Sequence, residues 1–249
     1  MIDVYFTSDI INKIGEIVMN KFIVFEGLDG AGKSTQIKLL TDYMEKNSMS
    51  YKFMHFPRID EGMIGEMIAG FLRGEFGEID DVNPYFAALM YAQDRNEARK
   101  TLYKHMVSCE YLIVDRYVYS NIAFQCAKIP DSEQKEALRN WILKLEYENN
   151  QLPEPDLTLY LKMPFFFIEG TLTGSREGVE RDYLKGHGDI HENDLVLQKN
   201  VETEYLKLVE TDSCFKTIDC IGKDGKLLPP LEINKAIIQM VKKFCEEFW

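Results

Sequence analysis

The sequence lacks the features by which several large protein classes are recognised. Its five cysteines are scattered without a C-x-x-C pair, and its four histidines are dispersed, so neither residue type indicates a metal site or a disulfide framework. No apolar run reaches the roughly 18–20 residues that a membrane-spanning helix needs. Unpaired thiols are typical of the reducing cytoplasm, which is where we expect this protein to be located.

The sequence also has fewer basic residues than acidic ones. The chain carries 29 Lys and Arg against 41 Asp and Glu, which gives a formal net charge of −12. Such an acidic chain is a poor partner for a nucleic-acid polymer or an anionic membrane, so we predict that it binds neither. A small anionic ligand is still compatible with this balance if a few basic residues converge on one place.

The composition is otherwise that of a folded globular chain. With 249 residues, 45% of them hydrophobic, the sequence is long enough for one α/β domain with an ample core. Residues 1–18 stand apart, because Met19-Asn20-Lys21 directly before the first apolar strand is typical of a natural start. We therefore predict a single domain over 19–249, preceded by an extension over 1–18 whose role the sequence leaves open.

The most informative segment is residues 22–35, FIVFEGLDGAGKST. The apolar residues Phe22–Phe25 predict a short buried parallel strand, and helical spacing begins after Ser34. Between them lies the phosphate-binding P-loop, G-x-x-x-x-G-K-[ST], whose glycines let successive N–H groups point at a polyphosphate. The predicted ATP-binding residues are Gly27, Leu28, Asp29, Gly30, Ala31, Gly32, Lys33, Ser34 and Thr35.

Three side chains predict how a nucleoside triphosphate would be held. Lys33 is the mobile cation for the β- and γ-phosphates, and the Ser34 hydroxyl suits a Mg²⁺ ligand. Asp115 ends the apolar strand Tyr111–Asp115, where P-loop proteins carry the acid that supports Mg²⁺. The alternative for Asp115 is a strand-terminal acid that caps a turn.

Strand and helix signals alternate to the end of the chain, which predicts a parallel sheet covered by helices on both faces. The glycine-rich, charged segment 170–193 is typical of a mobile loop. Strands are predicted at Phe22–Phe25, Tyr51–Phe56, Tyr111–Asp115, Leu157–Leu161 and Thr217–Ile221. Helices are predicted after Ser34 and at Met63–Phe71, Asn83–Lys104, Ser132–Glu148, Leu195–Thr211 and Leu231–Phe248.

Ligands of such sheets bind beyond the carboxyl ends of the strands, and three sequence features occupy that position. They are the P-loop, the tripeptide Phe56-Pro57-Arg58 and the pair Asp115-Arg116. Arg116 there would bridge donor and acceptor phosphates and neutralise charge during transfer. The alternative is an arginine on the surface.

Two groups of residues are candidates for contacts with an acceptor. Tyr91 and Arg95 lie four apart on one predicted helix face, as a ring that stacks on a base and a cation that bonds its edge would. A core residue beside a salt bridge is the alternative. Ser120, Asn121 and Gln125 follow at helical spacing and suit the reading of a pyrimidine edge, or else form an ordinary helix start capped by Ser120.

Five segments in this order and spacing resemble the thymidylate kinases, which move a phosphoryl group from ATP to dTMP: FEGLDGAGKST, HFPR, LMYAQDR, VDRYVYSNIAFQ and PEPDLTLYL. The resemblance extends from about Lys21 to the C-terminus. It implies the nucleoside-monophosphate-kinase version of the three-layer P-loop fold, with a five-stranded parallel sheet and a mobile lid. It also implies ATP and dTMP as substrates, Mg²⁺ as the metal ion, a homodimer and a place in dTTP synthesis.

The resemblance further implies roles for individual residues. Asp29 would lie near the 3′-hydroxyl of the acceptor and the metal, while Arg58 and Arg116 would hold the acceptor phosphate. Arg58 follows Pro57, whose peptide bond tends to be cis in the family. Tyr91 would stack on thymine. The predicted substrate-binding residues are Asp29, Phe56, Pro57, Arg58, Tyr91, Arg95, Arg116, Ser120, Asn121, Phe124 and Gln125.

Phe124 occupies a position that the family fills with Tyr or Phe, where it would crowd a ribose 2′-hydroxyl and favour deoxynucleotides. Arg95 and Asn121 match positions that bond the base edge. The P-loop departs from one branch of the family, because Gly30 stands where that branch has a basic residue. We expect a lid arginine, Arg176 or Arg181, to replace that charge, although both are also compatible with solvated loop positions.

The predicted catalytic residues are therefore Lys33, Arg116, Asp29, Arg176 and Arg181. Three rival functions share the P-loop. A deoxynucleoside kinase takes an uncharged acceptor and would leave Arg58 without an anion. A regulatory nucleotide-binding protein would turn over ATP without any acceptor, and another nucleoside-monophosphate kinase would prefer a different base.

Overall fold

The computed structural model describes residues 21–173, 183–185, 188–192 and 194–247. The predicted extension over 1–18 and the lid arginines Arg176 and Arg181 lie outside these ranges. Strand β1, Lys21–Glu26, is apolar over Phe22–Phe25, is buried at every position and takes the centre of the sheet. The strands are β1 (Lys21–Glu26), β2 (Tyr51–His55), β3 (Tyr111–Asp115), β4 (Leu157–Lys162) and β5 (Phe215–Asp219).

All four strand pairings are parallel, and the order across the sheet is β2-β3-β1-β4-β5. This confirms the predicted five-stranded parallel sheet. The register places Asp115 opposite both Phe25 and His55. The loops that follow β1, β2 and β3 therefore open side by side at one edge of the sheet, as the positions of the three motifs predict.

Two groups of helices flank the sheet. Helix α1 packs with α8, and helix α4 packs with α3, α5 and α7. A one-turn 3₁₀ helix (Ile79–Asp81) and a π-helical turn (Lys144–Asn149) complete the regular structure. The helices are α1 (Lys33–Lys46), α2 (Gly62–Leu72), α3 (Pro84–Met106), α4 (Val118–Cys126), α5 (Ser132–Leu143), α6 (Phe165–Thr173), α7 (Leu195–Thr211) and α8 (Pro230–Glu247).

Side-chain caps fix where three of these helices begin. Asn83, Asp131 and Asp194 each accept a hydrogen bond from a backbone N–H in the first turn of α3, α5 and α7. Pro84, the first residue of α3, has the fixed φ that a helix start requires. No helix in the described part of the chain combines the length and apolar character needed to cross a membrane.

Several element boundaries differ from the sequence prediction. Strand β5 begins at Phe215 rather than Thr217, because the buried Phe215 side chain joins the core and its residue pairs with Thr158. Helix α6 was not predicted, and it takes residues 170–173 from the segment expected to be a loop. Its first residues follow Pro164, whose carbonyl accepts the N–H groups of Phe167 and Ile168.

Candidate active site

The P-loop turns sharply at glycines. Gly27 has φ 153° and Gly32 has φ 80°, backbone values that residues with a Cβ rarely adopt. A Cβ at Gly27 would also lie 3.2 Å from the carbonyl oxygen of Leu161, so the loop packs tightly on β4. Helix α1 begins directly after Gly32, which places its N-terminus at the mouth of the loop, where a helix favours anions.

Lys33 points back into the loop. Its Nζ donates to the carbonyl oxygens of Gly27 at 3.2 Å and Leu28 at 3.0 Å. Burial, together with the nearby Arg116 guanidinium, lowers the pKa of Lys33 to about 8. The ammonium group is therefore charged at neutral pH and sits where phosphate oxygens would replace the two carbonyls as its partners.

Asp29 and Arg116 form an ion pair across the cleft. Arg116 Nη2 donates to Asp29 Oδ1 at 2.7 Å, and Arg116 Nη1 donates to Ser120 Oγ at 3.1 Å. Burial would raise the pKa of Asp29, but the charges of Arg116 and Lys33 outweigh it and lower the pKa to about 2. The ion pair thus joins the P-loop to the residue that follows β3.

The backbone at Arg116 is left-handed, with φ 64°, which costs an L-residue on the order of 1–2 kcal/mol. Its N–H donates to the carbonyl oxygen of Phe25 at 2.9 Å, so the sheet continues to this residue before the chain turns. The turn brings the guanidinium beside the P-loop. The surrounding structure therefore holds Arg116 in a sparsely populated backbone conformation beside the P-loop.

Glu26 fixes the start of helix α4. Its fully buried carboxylate accepts the backbone N–H of Tyr117 at 2.9 Å and of Ser120 at 3.1 Å. It also accepts the hydroxyls of Ser120 at 2.5 Å and Tyr205 at 2.8 Å. The Ser120 hydroxyl therefore bonds both Glu26 and Arg116. Sequence reasoning missed Glu26, although an acid that ends a buried strand is a usable signal.

Asp115 and Ser34 fit a magnesium site. Asp115 is 5% exposed; its Oδ2 lies 3.6 Å from His55 Nδ1, and its Oδ1 has no hydrogen-bond partner among the described residues. Buried carboxylate oxygens normally have partners, so this atom suits a hydrated cation. Ser34 is exposed at the first turn of α1. No cluster of three or more His, Cys, Asp or Glu side chains that could hold a metal ion occurs in the described ranges.

Arg58 follows a cis peptide bond between Phe56 and Pro57, as the resemblance implies. Its backbone N and its Nε each donate to Asp94 at 2.9 Å, and its Nη1 donates to Glu61 at 2.7 Å. Asp94 is fully buried on α3 and was not predicted. The ring of Phe56 is 1% exposed and packs against Tyr117 in the core.

Arg95 and Asn121 are bound to one buried acid. Glu146 accepts both Nε and Nη2 of Arg95 at 2.6 Å and Nδ2 of Asn121 at 2.9 Å. Burial opposes the charge of Arg95, but Glu146 more than compensates and raises its pKa. Asn121 Oδ1 and both amide atoms of Gln125 are buried and lack hydrogen-bond partners in the described part of the structure. These atoms mark where the polar edge of a ligand would lie.

Aromatic side chains on α3 and α4 also line the cleft. Tyr91, on α3, is 8% exposed and meets the ring of Phe71 edge-on at 6.5 Å. Burial raises the pKa of Tyr91, so the ring is neutral. Phe124, on α4, lies 5.3 Å below the Arg116 guanidinium and stacks on His191. The cleft therefore runs from cations at the P-loop to apolar rings near the unpartnered amide atoms.

Several known proteins resemble this chain. The family model for thymidylate kinase matches residues 25–223. The chain belongs to the thymidylate kinase family. A probable thymidylate kinase of Thermococcus gammatolerans is 33% identical over 90% of this chain and 97% of its own length. The thymidylate kinase of Mycobacterium tuberculosis (strain ATCC 25618 / H37Rv) is 30% identical over 75% of this chain and 84% of its own length.

A solved structure shares the fold. The thymidylate kinase of Candida albicans aligns with a TM-score of 0.67 at 24% identity, over 90% of this chain and 92% of that chain. Together these findings identify the chain as an ATP-dependent kinase that acts on dTMP and produces dTDP. The prediction from the sequence motifs is confirmed at this level.

In this member of the thymidylate kinase family, a short turn over residues 188–192 closes the site. Asp189 accepts the backbone N–H of His191 at 2.8 Å and of Glu192 at 3.2 Å, together with the Tyr183 hydroxyl at 2.8 Å. Burial and the charge of Asp29 raise the pKa of Asp189 to about 6. Sequence reasoning saw only a glycine-rich stretch here and missed both Asp189 and His191.

Gln198, on α7, joins this turn to the P-loop. Its Nε2 donates both to Asp29 Oδ2 and to the backbone carbonyl of His191, each at 3.0 Å. The structure thus brings Lys33, Asp29 and Arg116 together at one end of the cleft. The polar atoms of α4 lie at the other end. Gln198 gave no sequence signal, because its partner Asp29 is 169 positions away.

Proposed function

We propose that the named residues divide the reaction of Mg·ATP with dTMP between a donor end and an acceptor end of one cleft. The observation that carries this proposal is the ion pair of Asp29 and Arg116, which joins the P-loop to the strand end beside Arg58. A triphosphate at Lys33 and a monophosphate at Arg58 would meet at Arg116. That is the geometry that transfer between two phosphates requires.

A phosphate oxygen of dTMP attacks the γ-phosphorus of ATP in line, the bond to the β-phosphate oxygen breaks, and dTDP and ADP result. The acceptor phosphate is largely dianionic at neutral pH, so no strong general base is needed. Lys33 exchanges its two carbonyl partners for phosphate oxygens, and Arg116 shares its charge between Asp29 and the transferred group. Catalysis then comes from alignment and from charge that is already in place.

Ser34 and Asp115 would hold the magnesium ion, which neutralises phosphate charge when it is bound. The unpartnered Oδ1 of Asp115 supports this assignment. Asp29, beside them, would face the 3′-hydroxyl of the acceptor. In this proposal, a lid arginine, Arg176 or Arg181, supplies the charge that Gly30 does not.

Thymine would lie between Tyr91 and the polar face of α4. Its N3–H is a donor, and Asn121 Oδ1 is a buried acceptor without a partner among the described residues. Arg95, fixed by Glu146, and Gln125 would bond the remaining edge. Cytosine presents an acceptor at N3 and would leave Asn121 Oδ1 unpaired, which a site built for hydrogen bonding rejects strongly.

We also propose that residues 19–249 form a single catalytic domain with a lid over about 170–193, that 1–18 is an extension, and that the enzyme works in the cytoplasm without binding nucleic acid. A homodimer through α2 and α3 is supported by the exposed apolar side chains of Met63, Met67, Phe86 and Leu89. Sedimentation at micromolar concentration tests this proposal, since Phe86→Glu should weaken the dimer. A Phe86→Glu variant that sediments like the parent would contradict it.

The direct test is ADP release from Mg·ATP with dTMP, dUMP, dCMP, dGMP, AMP and thymidine supplied separately. We expect strong turnover with dTMP, weak turnover with dUMP and none with thymidine. Equal turnover with every acceptor would overturn the proposed base contacts. Turnover without any acceptor would instead favour a regulatory nucleotide-binding protein, and turnover with thymidine would favour a deoxynucleoside kinase.

A further inference from the structure

His191 is packed between two phenylalanine rings. Its imidazole stacks on Phe124 with ring centroids 5.3 Å apart and an angle of 28° between the planes. It meets Phe71 edge-on at 5.3 Å and 81°. Burial lowers the pKa of His191 well below its usual value, so the ring is neutral. The imidazole is therefore a neutral, planar ring that packs against the phenylalanine rings.

The backbone, and not the ring, anchors His191. Its N–H donates to Asp189 and its carbonyl accepts from Gln198, whereas Nε2 is buried without a hydrogen-bond partner in the described ranges. A histidine kept only for the stability of a core would have its ring nitrogens satisfied. The two backbone bonds fix where the imidazole stands, and the imidazole limits where the Phe124 ring can turn.

The position of Phe124 along helix α4 determines what it faces. One turn earlier, Ser120 bonds Arg116 at the phosphate end of the cleft. The unpartnered atoms of Asn121 and Gln125 lie at the base end. Phe124 itself contacts both Arg116 and His191. A nucleotide that spans these two ends has its sugar beside the Phe124 ring.

We propose that His191 is a positioning residue that holds the Phe124 ring against the acceptor sugar and thereby sets the rejection of ribonucleotides. This inference rests on the proposed function. Without the imidazole, the Phe124 ring can swing into the vacated space, and a 2′-hydroxyl can enter. The preference for the deoxynucleotide then falls because kcat/KM for the ribonucleotide rises, and not because the fold is lost.

The test compares dTMP with its ribose counterpart, 5-methyluridine 5′-monophosphate, in the full chain. The measured quantity is the ratio of the two kcat/KM values, which does not depend on the fraction of folded enzyme. We expect His191→Ala to lower this ratio by roughly tenfold or more, in line with steric discrimination in pockets. His191→Phe, which restores a flat ring, is the matched control and should stay within about threefold of the parent.

Phe124→Ala supplies the reference, because it removes the group through which His191 acts. The double variant Phe124→Ala/His191→Ala should discriminate no worse than Phe124→Ala alone, since the two residues form one unit. An unchanged ratio in His191→Ala overturns the inference, and so does a full additional loss in the double variant. If the parent enzyme fails to phosphorylate dTMP, the proposed function fails instead, so the two failures are distinct.

Discussion

Glu146 offers the sharpest test of how the acceptor end is built. The substitution Glu146→Gln keeps the shape of the side chain but removes the charge that two buried groups depend on. Arg95 donates to it through two nitrogens at 2.6 Å, and Asn121 donates at 2.9 Å, all in a site that is 3% exposed or less. The amide of the variant would turn N–H donors toward the N–H donors of Arg95.

The expected magnitude follows from this geometry. Removing one partner of a buried ion pair costs about 3–5 kcal/mol, because the other charge remains buried and unpaired. At about 2–4 °C per kcal/mol for a domain of this size, the melting midpoint should fall by roughly 6–20 °C. Arg95 and Asn121 would also lose their fixed positions. We expect the KM for dTMP to rise by about tenfold, with the KM for ATP little changed.

Thermal unfolding and steady-state kinetics check both parts. Asp42→Asn is the matched control, since it breaks the exposed pair with Lys38 (3.2 Å) and should shift the midpoint by no more than about 2 °C. Glu146→Asp, which keeps the charge, should recover part of the loss. If Glu146→Gln melts within 2 °C of the parent and binds dTMP normally, the reasoning from the buried pair is refuted.

Two further predictions concern charge in the cleft. Lys33→Met or Arg116→Ala should lower kcat by about 10²-fold or more, and near-normal ADP release by a folded variant would contradict the assigned roles. For Asp189, burial raises the pKa from 3.8 to about 6, so the folded state favours the neutral acid. The neutral acid therefore adds to the free energy of unfolding. This contribution is complete below pH 3.8 and is lost as the pH rises through about 6. Asp189→Asn removes this dependence, so its melting midpoint relative to the parent should rise between pH 4 and pH 7.5; a flat or falling difference would show that Asp189 is not buried as described.

The sequence was sufficient wherever the information is local. The P-loop needs only eight contiguous residues, and the apolar strands before Gly27 and Arg116 are readable from their own composition. Because all the strands are parallel, their carboxyl ends meet at one edge of the sheet, which places Arg58, Arg116 and the P-loop at that edge without any knowledge of distances. This is why the fold, and the edge of the sheet at which these residues meet, were predicted from the sequence.

The residues that hold the site were not predictable in this way. Asp94, Glu146 and Gln198 are separated from their partners by 36, 51 and 169 positions, and a single sequence carries no signal for such pairings. Helix α6 was missed for a different reason. Its Phe-Phe-Phe-Ile run is apolar at every position, so it has no helical period to read.

The bridge made by Gln198 has a consequence for how this enzyme can diversify. One amide group donates to both the carboxylate of Asp29 and the carbonyl of His191. A mutation at 198 therefore disturbs the P-loop and the position of His191 together. Among the described residues, the side chains of Tyr91, Asn121 and Gln125 on α3 and α4 show no such pair of hydrogen bonds that includes the P-loop. Lineages that acquire a new nucleobase preference should therefore accumulate changes at those three positions while residue 198 drifts slowly.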